Sequence, residues 1–125
     1  AAYRAGRPVV IVSNNSADAI FRYLDHHRLT PYVRAVIGRP EADPTDMKPN
    51  PKPVRRAIHA VGADPRVCVL IGDSVTDIEA ARAAGIRSVG YANKPGKRNT
   101  LVEAGADAII EGPDGLSTLL RILAA

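Results

Sequence analysis

Apolar and polar positions fall into alternating short blocks along the chain, five apolar runs of strand length separated by stretches of helical spacing. The sharpest block is Val67-Cys68-Val69-Leu70-Ile71, an unbroken run rich in β-branched residues that predicts a strand buried on both faces. It stops at Gly72-Asp73, and from Ser74 onward the spacing turns helical, which places the Gly-Asp pair on a strand-to-helix turn. Further strands are predicted at residues 8–12, 33–37, 87–91 and 108–110. Helices are predicted at residues 17–28, with Ile20, Phe21 and Leu24 on one face, and at 51–61, with Asn50 as cap and Pro51 in first position. Others run from Ser74 to a stop at Gly85, through Glu103, and over 116–123 as an amphipathic segment. Residues 1–7 have the pattern of a helix's last turn, with Tyr3 as a packing residue and Gly6 as its stop. Residues 38–47 and 92–99 read as loops, the second basic and mobile. Such alternation predicts an α/β fold, a parallel sheet with right-handed crossovers and helices on both faces.

Composition narrows the function classes. At 125 residues the chain is at most one domain, long enough for a core but short for a complete α/β enzyme. Lys and Arg number 17 against 13 Asp and Glu, and the net charge of +4 is spread along the chain. A diffuse excess slightly favours a small anionic substrate, whereas the lack of a basic run interleaved with aromatics argues against nucleic acid. The single cysteine, Cys68, is expected in the core and excludes a disulfide framework or cysteine zinc cluster. No apolar stretch reaches membrane-spanning length and no signal-peptide pattern opens the chain, so a cytoplasmic location is the expectation. The chain opens on alanine and its one methionine is Met47, so its first residue is not expected to be an untouched translation start.

The candidate chemistry lies at strand ends. Asp73 on the turn and Asp77 in the first helical turn can point into one space, as a hard divalent cation such as Mg²⁺ requires. Acids also favour helix starts for capping and dipole reasons, and Ser74 or Asp73 serves equally well as an N-cap. Ser13-Asn14-Asn15-Ser16 after the first strand suits both a cap and an anion cradle. Lys48, just ahead of a helix start, is a candidate phosphate contact. His26 and His27 are adjacent and point in different directions on a helix, so a favourable dipole interaction at the helix end is expected rather than a metal site.

Three other motifs are dismissed. The segment from Gly90 to Arg98 resembles a Walker loop, but it has one residue too many between glycines and Arg98 where a hydroxyl should stand. Gly72-Asp73-Ser74 resembles a serine-hydrolase signature, yet no histidine follows His59 to act as base. A phosphoacceptor receiver domain needs its aspartate before the hydroxyl and the lysine, whereas the order here is Ser13, Lys48, Asp73.

That order, ending in Gly72-Asp73-x-x-x-Asp77, resembles the haloacid dehalogenase superfamily, in particular its phosphoglycolate-phosphatase-like branch. Met47-Lys48-Pro49 and Ala83-Ala84-Gly85-Ile86 are similar to that branch too, and the resemblance runs from about Arg4 to the C-terminus. It implies that Ser13 hydrogen-bonds the transferring phosphoryl group, with Asn14 beside it as a substrate contact. Lys48 would neutralise that group and the nucleophile. Asp73 would ligate Mg²⁺ directly, and Asp77 would hold a metal-bound water or orient the ligands. The implied substrate is a small phosphorylated metabolite, with charge neutralisation on the phosphoryl oxygens as the main catalytic device.

The chain also departs from the pattern. In this family the nucleophile and general acid are two aspartates in a motif like Asp-x-Asp-Gly-Thr on the first strand, and the 125 residues contain none. By resemblance the sheet order is third, second, first, fourth, fifth, so the strand missing here is the central one. Leaving it out opens a slot about 10 Å wide between its neighbours, given strand spacings of about 4.8 Å. Residues 1–125 are therefore expected to be the C-terminal portion of a catalytic core, without the cap domain that selects substrate. The sheet would be completed by upstream sequence, another segment, or a second copy in a homo-oligomer. Two functions follow: a Mg²⁺-dependent phosphomonoester hydrolase when complete, working through an aspartyl-phosphate, or an inactive relative that serves as a binding or interaction module. A metal-independent dehalogenase is weaker, because it leaves the acidic pair unexplained.

Overall fold

The computed structural model describes residues 6–39 and 47–124. The order of elements is β1 (Val10–Val12), α1 (Ala17–His26), β2 (Ala35–Ile37), α2 (Lys52–Val61), β3 (Val69–Gly72), α3 (Val75–Ala83), β4 (Arg87–Ala92), α4 (Lys97–Ala104), β5 (Ala108–Glu111) and α5 (Gly112–Ala124). Short 3-10 turns at Thr30–Tyr32 and Pro65–Val67 lead into β2 and β3. The fold is the α/β arrangement that the alternating pattern predicts. Residues 1–5 of the helix turn expected over 1–7 and residues 40–46 of the loop expected over 38–47 lie outside the described residues.

The strands form two parallel sheets rather than one. β1 pairs with β2, Val10 opposite Ala35 and Val12 opposite Ile37. Separately, β3 pairs with β4 from Val69–Arg87 to Gly72–Gly90, and β4 pairs with β5 from Val89–Ala108 to Ala92–Glu111. No ladder joins β1 to β3 among the described residues. With its first strand left out, the order expected from the resemblance leaves β1 beside β2 and β3 beside β4, as observed, and β5 adds a further strand beyond β4. β3 thereby becomes an edge, which corrects the expectation of burial on both faces. Ile71 is 37% exposed, and Val69 and Leu70 are half-buried. Cys68 is likewise half-buried, just ahead of β3, with its thiol against the Asp64 carbonyl at 3.4 Å.

The core gathers where helices cover the sheets. Val54 and Ala57 of α2 and Ile78, Ala80 and Ala81 of α3 are buried, as are Val89 of β4 and Leu101 of α4. α2 packs on β1, β2 and α3, and α3 in turn on β3, β4 and α4. This continuous helix layer spans the break between the two sheets. Ile20 and Leu24 bury one face of α1 against β2, while Phe21 is 44% exposed, so the apolar stripe is narrower than predicted. Gly62, at φ 62°, ends α2 in the left-handed conformation that a side chain disfavours.

Several element boundaries differ from expectation, among them three helix starts. α2 begins at Lys52, one residue later than predicted, with Asn50 accepting from the Lys52 amide at 2.9 Å. α4 begins at Lys97, inside the segment expected to be a mobile loop, because Gly96 at φ 84° reverses the chain directly into the helix. α5 starts at Gly112, since its first turn is polar and leaves no hydrophobic period to follow. Among the described residues no helix is long and apolar enough to cross a membrane.

Candidate active site

The carboxyl end of β3 carries the acidic pair. Gly72 closes the strand, Asp73 lies on the turn, and Ser74 caps α3. The Ser74 hydroxyl accepts from the Asp77 amide at 3.3 Å and the Asp77 carboxylate accepts from the Ser74 amide at 3.3 Å, a reciprocal capping box. Capping and chemistry therefore share one residue. Asp77 is 7% exposed, and the tight approach of Gly72 explains the absent side chain there. A Cβ on Gly72 would fall 2.7 Å from Asp77 Oδ2 and 2.8 Å from its Cγ.

Lys48 bridges the end of β1 and the first turn of α3. Its ammonium donates to the Val12 carbonyl at the end of β1 (2.9 Å) and forms an ion pair with Asp77 Oδ1. Both side chains of that pair are nearly buried, at 11% and 10% exposure. A buried charge is tolerable only when it is paired and hydrogen-bonded, and each partner here meets that condition. Asn14 fixes the same loop from the other side. Its amide oxygen accepts from the Lys48 amide at 3.1 Å, and its Nδ2 donates to the Lys48 carbonyl at 3.4 Å. The Asn14 side chain, expected beside the substrate, is thus directed to the Lys48 backbone. Ser13 follows β1 directly, its amide donating to the Ile37 carbonyl at 3.0 Å. Its hydroxyl accepts from the Asn15 amide at 3.1 Å, which leaves the O–H proton to donate elsewhere.

Asp73 is held by a different set. Its carboxylate is 52% exposed, accepts from Asn93 Nδ2 at 3.2 Å and lies 3.7 Å from the Lys97 ammonium. Lys97 also donates to the Asp73 main-chain carbonyl at 2.9 Å. Neither Asn93 nor Lys97 was singled out by the sequence; both sit in the segment dismissed as a loop, and only their convergence on Asp73 reveals them. Asn14, Lys48 and Asp77 form one hydrogen-bonded group, Ser13 precedes Asn14 with its hydroxyl on the Asn15 amide, and Asp73 lies on the turn that leads into α3.

The donor set suits a hard cation in part. Asp73 offers a half-exposed carboxylate at the rim, while Asp77 is committed to Lys48 and to the α3 cap, as befits an orienting acid rather than a direct ligand. No group of three or more His, Cys, Asp or Glu side chains is gathered for a metal among the described residues. A complete octahedral shell would draw its other oxygens from water, substrate or another segment.

Comparison with known proteins settles the lineage. Residues 2–91 match the haloacid dehalogenase-like hydrolases. The chain belongs to that family. It is 36% identical over 124 residues to phosphoglycolate phosphatase of Caulobacter vibrioides, covering 93% of this chain and 49% of the relative. It is 34% identical over 121 residues to the plasmid phosphoglycolate phosphatase of Cupriavidus necator, covering 94% and 50%. The chain thus spans about half the length of these curated relatives. Among solved structures, a haloacid dehalogenase-like protein of Agrobacterium tumefaciens superposes with a TM-score of 0.83 at 27% identity, over 95% of this chain and 56% of that one. A family hydrolase of Deinococcus radiodurans, solved with bound phosphate and sodium, gives 0.82 at 27% identity, over 96% and 54%.

Proposed function

We propose that this haloacid dehalogenase-like chain forms the C-terminal part of the catalytic core of a Mg²⁺-dependent phosphomonoester hydrolase. The supporting observation is the Lys48 ammonium, placed between the end of β1 and Asp77 and fixed from behind by Asn14. A phosphoryl group at this rim meets a fixed positive charge and the Ser13 hydroxyl, whose oxygen is already occupied by the Asn15 amide. Such preorganised donors stabilise charge on the phosphoryl oxygens without reorganising during the reaction. Asp73 would hold Mg²⁺, and Asp77 would keep the cation and Lys48 in register. When bound, the ion supplies further neutralisation of the phosphoryl charge.

The nucleophilic carboxylate and the general acid come from outside these 125 residues. We place them on a strand that enters the gap between β1 and β3, pairs with both, and completes the sheet. The nucleophile would attack phosphorus as the ester oxygen departs with a proton from the acid, and water would then release inorganic phosphate from the aspartyl-phosphate. The two curated relatives compared above are phosphoglycolate phosphatases, which makes 2-phosphoglycolate the first substrate to test. The test is hydrolysis of 2-phosphoglycolate and p-nitrophenyl phosphate by the full protein, with and without Mg²⁺. Activity should require the ion and fall at least about a hundredfold in Asp73→Asn, on the scale of losing one preorganised charge contact. Undiminished hydrolysis by that variant refutes the metal role of Asp73. A protein inert toward all phosphomonoesters, yet still binding a strand peptide in the gap, supports the interaction-module alternative instead.

A further inference from the structure

Lys97 is the first residue of α4, and its surroundings fix its ammonium in place. After β4 the chain folds back, with the Asn93 amide donating to the Tyr91 carbonyl at 3.0 Å and the Lys97 amide to the Lys94 carbonyl at 3.3 Å. Gly96 in the left-handed region completes the reversal. The turn delivers two side chains to one residue: Asn93 to the Asp73 carboxylate at 3.2 Å, and Lys97 to the Asp73 carbonyl at 2.9 Å. An ordinary surface lysine swings freely, and its ion pair contributes little. Here the ammonium is anchored on the main chain of its own partner, its side chain is only 30% exposed, and it lies 3.7 Å from Asp73 Oδ2. The charge cannot leave the carboxylate without giving up the carbonyl.

We infer that Lys97 is a built-in counter-cation to Asp73, a positioning residue that neutralises the carboxylate in the absence of a metal and weakens its hold on a lone divalent ion. This rests on the reading of Asp73 as a metal ligand. Each acid of the site then has its own ammonium, Lys48 for Asp77 and Lys97 for Asp73. A divalent cation that arrives at Asp73 meets a fixed positive charge a few ångströms away.

The test is the affinity of the full protein for Mg²⁺ and Mn²⁺, measured by titration calorimetry without substrate at low ionic strength. Lys97→Met should bind the ions about three- to tenfold more tightly, the size of the repulsion between a unit charge and a divalent ion across a few ångströms of wet surface. Added salt should shrink that gain, and Lys97→Arg, which keeps the charge, should match the wild type. Unchanged or weaker binding in Lys97→Met overturns the inference, as does equal tightening in the Arg variant, provided circular dichroism shows each variant folded. Asp73→Asn separates the two levels. If it abolishes binding while Lys97→Met changes nothing, only the role of Lys97 fails. If it leaves binding intact, the metal reading of Asp73 fails as well.

Discussion

The Lys48–Asp77 pair gives the most demanding test of how the site is built into the fold. Its side chains are 11% and 10% exposed, so each charge depends on the other for compensation, and neither can recover full hydration when the partner is lost. Lys48→Met leaves the Asp77 carboxylate nearly buried with only the Ser74 amide to bond it. Asp77→Asn leaves the ammonium with neutral acceptors only, the Val12 carbonyl and the amide oxygen of the new side chain. Breaking a buried pair from one side costs about 3–5 kcal/mol, and partial access to water at this rim argues for the lower end, about 3 kcal/mol for each single variant. The double variant buries no uncompensated charge. It should lose about 3 kcal/mol rather than the roughly 6 kcal/mol that independent sites would give, a coupling of about 3 kcal/mol. Urea unfolding of the full protein is followed by far-UV circular dichroism. The reasoning fails if the singles lie within about 1 kcal/mol of wild type, or if the double equals their sum to within about 0.5 kcal/mol.

Two further outcomes are expected. Gly72→Ala inserts a methyl group where Asp77 Oδ2 and Cγ would stand 2.7 and 2.8 Å away, and Asp77 is pinned by both Lys48 and Ser74. It should cost about 1–3 kcal/mol and weaken Mg²⁺ binding as well, so an unaltered melting temperature would count against the packing described. Burial, followed by the nearby Asp64 carboxylate, pushes the Cys68 thiol above its ordinary value. Cys68 therefore remains protonated at neutral pH, and its alkylation by iodoacetamide should be slow at pH 7 and accelerate only as pH rises beyond 9, where a fast reaction at pH 7 would contradict this environment.

Much of the fold is legible in the sequence because its signals are local. The apolar run before Gly72, the apolar face of α1, and the Asn50-Pro51 signal ahead of α2 each follow from the steric and hydrophobic preferences of a few adjacent residues. The motif residues are legible for a related reason: Ser13, Lys48, Asp73 and Asp77 all stand at strand ends or helix starts, where a short pattern fixes backbone direction. What the chain alone could not show is partnership. Asn14 clamping Lys48 is a contact across 34 residues, and Asn93 and Lys97 converge on Asp73 across 20 and 24. Such hydrogen bonds depend on how β1, β3 and β4 are placed relative to one another, and no local propensity encodes that. The exposure of Ile71 has the same origin. A strand's composition states that it prefers burial on both faces, but only the tertiary arrangement decides whether a neighbour is there to provide it.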